Sequence, residues 1–149
     1  MANGKVHKRA GALVGALTAA SYARDQAPAA FLLETLGGIG GGVVGAKLPD
    51  VVDPPTSGRH RSIGHGIAPT SAVAVHYAKA LPAAQNWLRA EALRQQGVAD
   101  SCDGLQYFWH ALLAVLCSLG AGAIAGLLGG YVSHLALDAV TPMGLPAFI

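Results

Sequence analysis

Histidines and aspartates are sparse in this chain, yet they gather at two places far apart in sequence. The first is Leu48-Pro49-Asp50-Val51-Val52-Asp53-Pro54, followed by His60-Arg61-Ser62-Ile63-Gly64-His65. The second is Ser133-His134-Leu135-Ala136-Leu137-Asp138. Neutral imidazole nitrogens and carboxylate oxygens are the ligands a borderline divalent ion such as zinc prefers, and folding can bring several of them to one point. His134 and Asp138 are one helical turn apart and share a face, so both can ligate one ion, or Asp138 can orient His134 from behind. A hydrogen-bonded buried pair without an ion is the plainer alternative. Asp50 and Asp53 offer further oxygens where a helix leaves the apolar region. His60 and His65 suit two ligands, or one ligand and a proton carrier. Between them, the planar fork of Arg61 matches an oxyanion, or anchors the chain at a membrane interface. His7 is a further candidate ligand if its end of the chain lies on the same side. Its alternative is an exposed terminal residue beside Lys8 and Arg9. No Gly-x-Ser-x-Gly elbow occurs, and Cys117 sits in an apolar run, so a side-chain nucleophile has no good candidate.

The setting for these residues is apolar. The 149 residues read as one domain, 52% hydrophobic and 12% charged, where a soluble domain carries about 25% charged residues. Between Asp103 and Asp138 there is no Asp, Glu, Lys or Arg, a run longer than the roughly 20 residues a helix needs to cross a bilayer. A compact soluble protein with buried helices is the competing class. The net charge of +2 is too small and scattered for specific nucleic-acid binding. Lys5, Lys8 and Arg9 precede the first apolar run, which reads as a retained first helix rather than a cleaved leader. If one helix joins Cys102 and Cys117 they are ~22 Å apart, beyond disulfide reach.

Breakers divide the chain into about six helical segments, at 6–22, 28–47, 64–81, 83–96, 103–129 and 131–140. Residues 48–63 read as a loop, Pro82 as a boundary, and 83–96, with Trp87, Leu88 and Leu93 among Arg89, Glu91 and Arg94, as an amphipathic helix lying at an interface. Alternating crossings then put His7, Asp50, His65, His134 and Asp138 at one membrane face. His76 is ~16 Å along its helix from His65 and stays away from the site. His110, beside Tyr107 and Trp109, belongs to an aromatic belt at the opposite face, and Glu34 is nearer that side. The candidate-site face carries six Lys and Arg (Lys5, Lys8, Arg9, Lys47, Arg59, Arg61) against four opposite (Arg24, Lys79, Arg89, Arg94), which favours a cytoplasmic placement. Glycines recurring every four residues (Gly11 and Gly15; Gly37, Gly41 and Gly45; Gly122, Gly126 and Gly130) are small-xxx-small faces that let helices approach closely in lipid. The same faces could join copies of the chain.

The ordered series of an N-terminal His, Pro-Asp-x-x-Asp-Pro, His-Arg-x-x-x-His and Gly-Tyr-x-Ser-His-x-x-x-Asp-x-x-Thr-Pro-x-Gly-x-Pro resembles the membrane-bound metal-dependent hydrolases, among them LexA-regulated inner-membrane proteins of bacteria and related phage genes. The last motif, residues 130–146, is the most specific part. The His-x-x-x-Asp pair in an all-helical plan more distantly resembles the zinc-dependent phospholipase C and single-strand nuclease superfamily, whose sites cleave phosphodiesters. The chain departs from the family pattern in the extra Val before Asp53, the missing His after it, and Gly64 and Gly66 in place of Thr and Ser. The resemblance implies a hydrolase.

The expectation is an all-α polytopic helical membrane bundle in a bacterial inner membrane or a viral membrane. One or two divalent ions, zinc first, are held by His7, Asp50, Asp53, His60, His65, His134 and Asp138. Arg61 and His65 take catalytic parts, and a phosphoester or lipid head group is the substrate. The rival expectation is a non-catalytic small membrane subunit of a larger or viral assembly, whose His/Asp cluster is only a structural metal or polar staple.

Overall fold

The computed structural model describes residues 4–52 and 67–140, and these form helices with no strand among them. α1 spans Gly4–Ala23, α2 Pro28–Gly45, α3 Leu48–Val52, α4 Ile67–Ala99 and α5 Gly104–Ala139. α5 is the axis of the bundle and packs against every other helix. The stretches Pro28–Val52 and Gly104–Ala139 are each long and apolar enough to cross a membrane.

Small residues decide how the helices meet. On α1 the buried positions are His7, Gly11, Gly15, Ala19 and Ala23, every fourth residue. On α5 a buried row runs through Ala114, Ser118, Gly122, Gly126 and Gly130 and continues as His134 and Asp138. A Cβ added at Gly37, Gly41 or Gly45 would overlap the backbone of Leu119, Ala123 or Leu127 in turn. Both series rise together, so α2 and α5 run parallel with backbones in direct contact. Gly11 meets Gly42 and Gly15 meets Gly38, so α1 runs antiparallel to α2. α4 runs antiparallel to α5: Tyr77 Oη donates to the Ile124 carbonyl at 2.8 Å and Gln85 Nε2 to the Ala121 carbonyl at 3.1 Å. The start of α1, the end of α2 and the end of α5 consequently share one end of the bundle.

Three expected boundaries are corrected. Pro82 lies inside α4 rather than between two helices. An interior proline costs roughly 3 kcal/mol in lost hydrogen bonding and ring clash. The two hydrogen bonds from Tyr77 and Gln85 hold α4 to α5 on either side of it, with Leu81 buried between them. Residues 83–96 are therefore the latter half of α4, and its exposed Trp87 and Leu93 stand on the bundle's outer face. Gly129 and Gly130 do not divide α5, because they are contact surface: a Cβ there would press on Thr18 and on the Gly42 backbone. The expected loop at 48–63 begins later, since residues 48–52 form α3 with Pro49 in its first turn, where a missing N–H leaves no helical bond unmade. The described part of the chain thus holds five helices, four of them long, in place of six segments. Cys102 and Cys117 are both free thiols.

Candidate metal centre

The close packing of the glycine rows aims the chemistry. Because His7 continues the row of Gly11 and Gly15, and His134 and Asp138 continue that of Gly122, Gly126 and Gly130, the same contacts that seat the helices bring these side chains together at the shared end. All three are buried, at 5%, 1% and 4% exposure. The imidazoles of His7 and His134 stack with ring centroids 4.0 Å apart and planes 22° from parallel. His7 Nε2 is 3.6 Å from Asp138 Oδ1, and His134 Nε2 is 3.4 Å from Asp138 Oδ2. Asp50, on α3, approaches from the outer side with Oδ1 3.6 Å from His134 Nε2 and its side chain 41% exposed.

His134 is oriented from behind. Its Nδ1 lies 2.6 Å from the carbonyl of Ala46, in the turn that ends α2. With Nδ1–H donating to that carbonyl, Nε2 presents its lone pair toward Asp138 and Asp50, the tautomer a metal ligand needs. The ligand atoms of His7, His134 and Asp138 lie within 4.8 Å of one another, so this group could hold a metal ion. Separations of 3.4 to 3.6 Å are long for N–H···O hydrogen bonds, which cluster at about 2.9 Å. Two ligand atoms each about 2.1 Å from a tetrahedral ion stand roughly 3.4 Å apart.

Of the residues singled out from sequence, His7, Asp50, His134 and Asp138 thus come together. Asp53, His60, Arg61 and His65 lie outside the described residues. His110 sits at the other end of α5, with Nδ1 2.6 Å from Gln95 Oε1. That far end also carries an ion pair that the sequence reading left unmatched. Arg89 donates from Nε to Glu34 Oε1 at 2.8 Å, from Nη2 to Glu34 Oε2 at 2.7 Å, and again from Nη2 to the Tyr22 carbonyl at 2.9 Å. Glu34 is the one acid in the apolar body of α2 and is fully buried, so its need for a cation was readable; which cation was not.

Over residues 1–149 the chain matches the family described as YdjM inner membrane protein. It belongs to the YdjM inner membrane protein family. No curated protein and no solved structure matches it. For a YdjM-family chain the two long apolar stretches fit insertion into the membrane. In this YdjM-family bundle two positioning features escaped the sequence reading. They are the Ala46 carbonyl behind His134 and the shared register of the glycine rows with His7, His134 and Asp138. The second was present as a period of four running from glycine into histidine and aspartate.

Proposed function

We propose that this protein is a membrane-bound metal-dependent hydrolase acting on a phosphoester presented at the membrane surface. The observation that carries the reading is the buried group of His7, His134 and Asp138, whose ligand atoms lie within 4.8 Å of one another, with Asp50 Oδ1 a further 3.6 Å from His134 Nε2. Two imidazoles and two carboxylates are a donor set that suits zinc. A divalent ion held there would lower the pKa of a water toward neutrality and so supply the nucleophile. The protein's own part is to hold His134 in one tautomer through Ala46, to bury His7 and Asp138, and to keep Asp50 at the accessible side. Arg61 and His65 take the roles of oxyanion clamp and proton carrier from their sequence motif. The resemblance to membrane-bound hydrolases supports the same assignment. Lys5, Lys8, Arg9 and Lys47 are exposed at the site's end of the bundle, and on the positive-inside rule that end faces the cytoplasm.

Burial of three of the four candidate ligands favours one other reading, a structural ion or polar staple in a non-catalytic subunit of a larger or viral assembly. Elemental analysis of detergent-purified protein, with phosphodiester hydrolysis assayed before and after chelation, separates them. Stoichiometric metal with chelator-sensitive turnover is the expected result. Metal without turnover selects the staple, and protein that binds no divalent ion ends both metal readings.

A further inference from the structure

A second feature lies one turn from the candidate centre. Leu48, Val73, Ala74, Tyr77, Leu127, Leu128 and Tyr131 line a cavity of about 120 Å³ between α3, α4 and α5. Leu48 is two residues from Asp50, and Tyr131 is three from His134, an axial rise of ~4.5 Å on the helix. The Tyr77 hydroxyl is committed to the Ile124 carbonyl, so that side chain turns its ring to the cavity and its polar atom to α5. Val73, 60% exposed, and Leu48, 40% exposed, are lining residues that also reach the bundle's outer surface.

From this placement we infer that the cavity is a hydrocarbon-chain subsite, and that the substrate is a lipid phosphoester whose chain enters between α4 and α5 while its ester reaches Asp50 at the accessible side of the candidate centre. The inference rests on the hydrolase reading for the ester and on the cavity alone for the chain. The occupant is set by chemistry and size. The lining side chains turn apolar surface inward, so a head group would lose its hydration there without compensation. The volume is well below the ~300 Å³ at which pockets enclose whole small ligands, so it takes one segment of a longer molecule. Val73 and Leu48 are exposed at its rim, and its lining residues Leu48 and Tyr131 stand within one turn of Asp50 and His134.

The test is photolabelling of the full-length protein in nanodiscs of phosphatidylglycerol carrying a diazirine in one acyl chain, with adducts mapped by mass spectrometry. Adducts are expected to concentrate on Leu127, Leu128, Tyr131 and Val73 over the lipid-facing Leu32 and Leu36 of α2. Ala74→Trp should fill the cavity and bring the adducts on Leu127, Leu128 and Tyr131 down to the level seen on Leu32 and Leu36. Leu36→Trp, on the outer face, should leave them unchanged. Uniform labelling of outer and cavity residues in the unsubstituted protein overturns the proposal, whatever the folding of the Ala74 variant. Cavity labelling that persists in protein with neither metal nor turnover would discard the hydrolase reading and keep the chain subsite.

Discussion

The two ends of this bundle solve the same problem differently. Each places ionisable groups among apolar helices, where a charge is costly unless matched. At the far end Glu34 and Arg89 match each other, with paired hydrogen bonds of 2.7 and 2.8 Å and a third to the Tyr22 carbonyl. A cleft of about 480 Å³ opens beside that pair, larger than the cavity near the histidines. At the near end His7, His134 and Asp138 are buried with their ligand atoms within 4.8 Å of one another, a group that could hold a metal ion. The contrast teaches that the larger cavity and the His/Asp cluster lie at different ends. One end is an electrostatic joint between Glu34 and Arg89, and the other gathers imidazoles and carboxylates.

Removing one of those imidazoles should have the largest effect. His134→Ala is expected to reduce bound divalent metal to background in elemental analysis and to abolish any chelator-sensitive hydrolysis, while Arg89→Ala leaves metal stoichiometry intact. Unchanged metal in purified His134→Ala protein, or its loss in Arg89→Ala, would erase the distinction between the ends.

The joint should instead govern stability. Arg89→Ala strands a fully buried carboxylate, and breaking such a pair costs about 3–5 kcal/mol. Replacing both members, as Glu34→Gln with Arg89→Met, should recover most of that loss in denaturant unfolding of the detergent-solubilised protein. A double variant as unstable as the single one would show that Arg89 acts through the Tyr22 carbonyl rather than through Glu34.

Much of this arrangement is legible in the amino-acid sequence. Pro28 opening a helix, the uncharged run after Asp103 and the alternation of crossings were enough to gather His7, Asp50, His134 and Asp138 at one end. What failed were local breaker rules under tertiary override. Pro82 is carried through because Tyr77 and Gln85 tie α4 to α5 around it. Gly129 and Gly130 are carried through because their missing side chains are the contact. The Glu34–Arg89 pair joins residues 55 apart on helices whose adjacency no local pattern encodes. Likewise the Ala46 carbonyl is a backbone group, and nothing in residue identity marks it as the partner of His134.

Between the two ends, the glycine rows set the register that both depend on, and this yields a smaller effect. A Cβ at Gly126 would overlap the backbone of Gly38. Gly126→Ala should therefore force α2 and α5 apart at a cost of about 1–3 kcal/mol. The same movement draws Ala46 away from His134, so metal affinity should fall along with stability. Stability lost without any change in metal affinity would mean that the centre holds its own geometry.

The smallest effect is expected one residue from that row. Gly40 and Gly41 are neighbours of identical chemistry in α2, but a Cβ at Gly41 would run into the Ala123 backbone and one at Gly40 would meet nothing within 4 Å. Gly40→Ala keeps every contact and restricts only the unfolded backbone, so it should leave metal binding unchanged and raise stability by at most about 1 kcal/mol. Gly41→Ala should instead lower stability by the margin expected of Gly126→Ala. The sign difference between adjacent positions is the sharpest test of the register. Glycine composition, apolarity and depth along the helix are shared by the pair, and only the direction in which each would project a side chain differs. If both substitutions change stability equally, helix propensity (where both gain) or a general loosening (where both lose) governs the bundle, and close contact between α2 and α5 is not what aims His134 and Asp138.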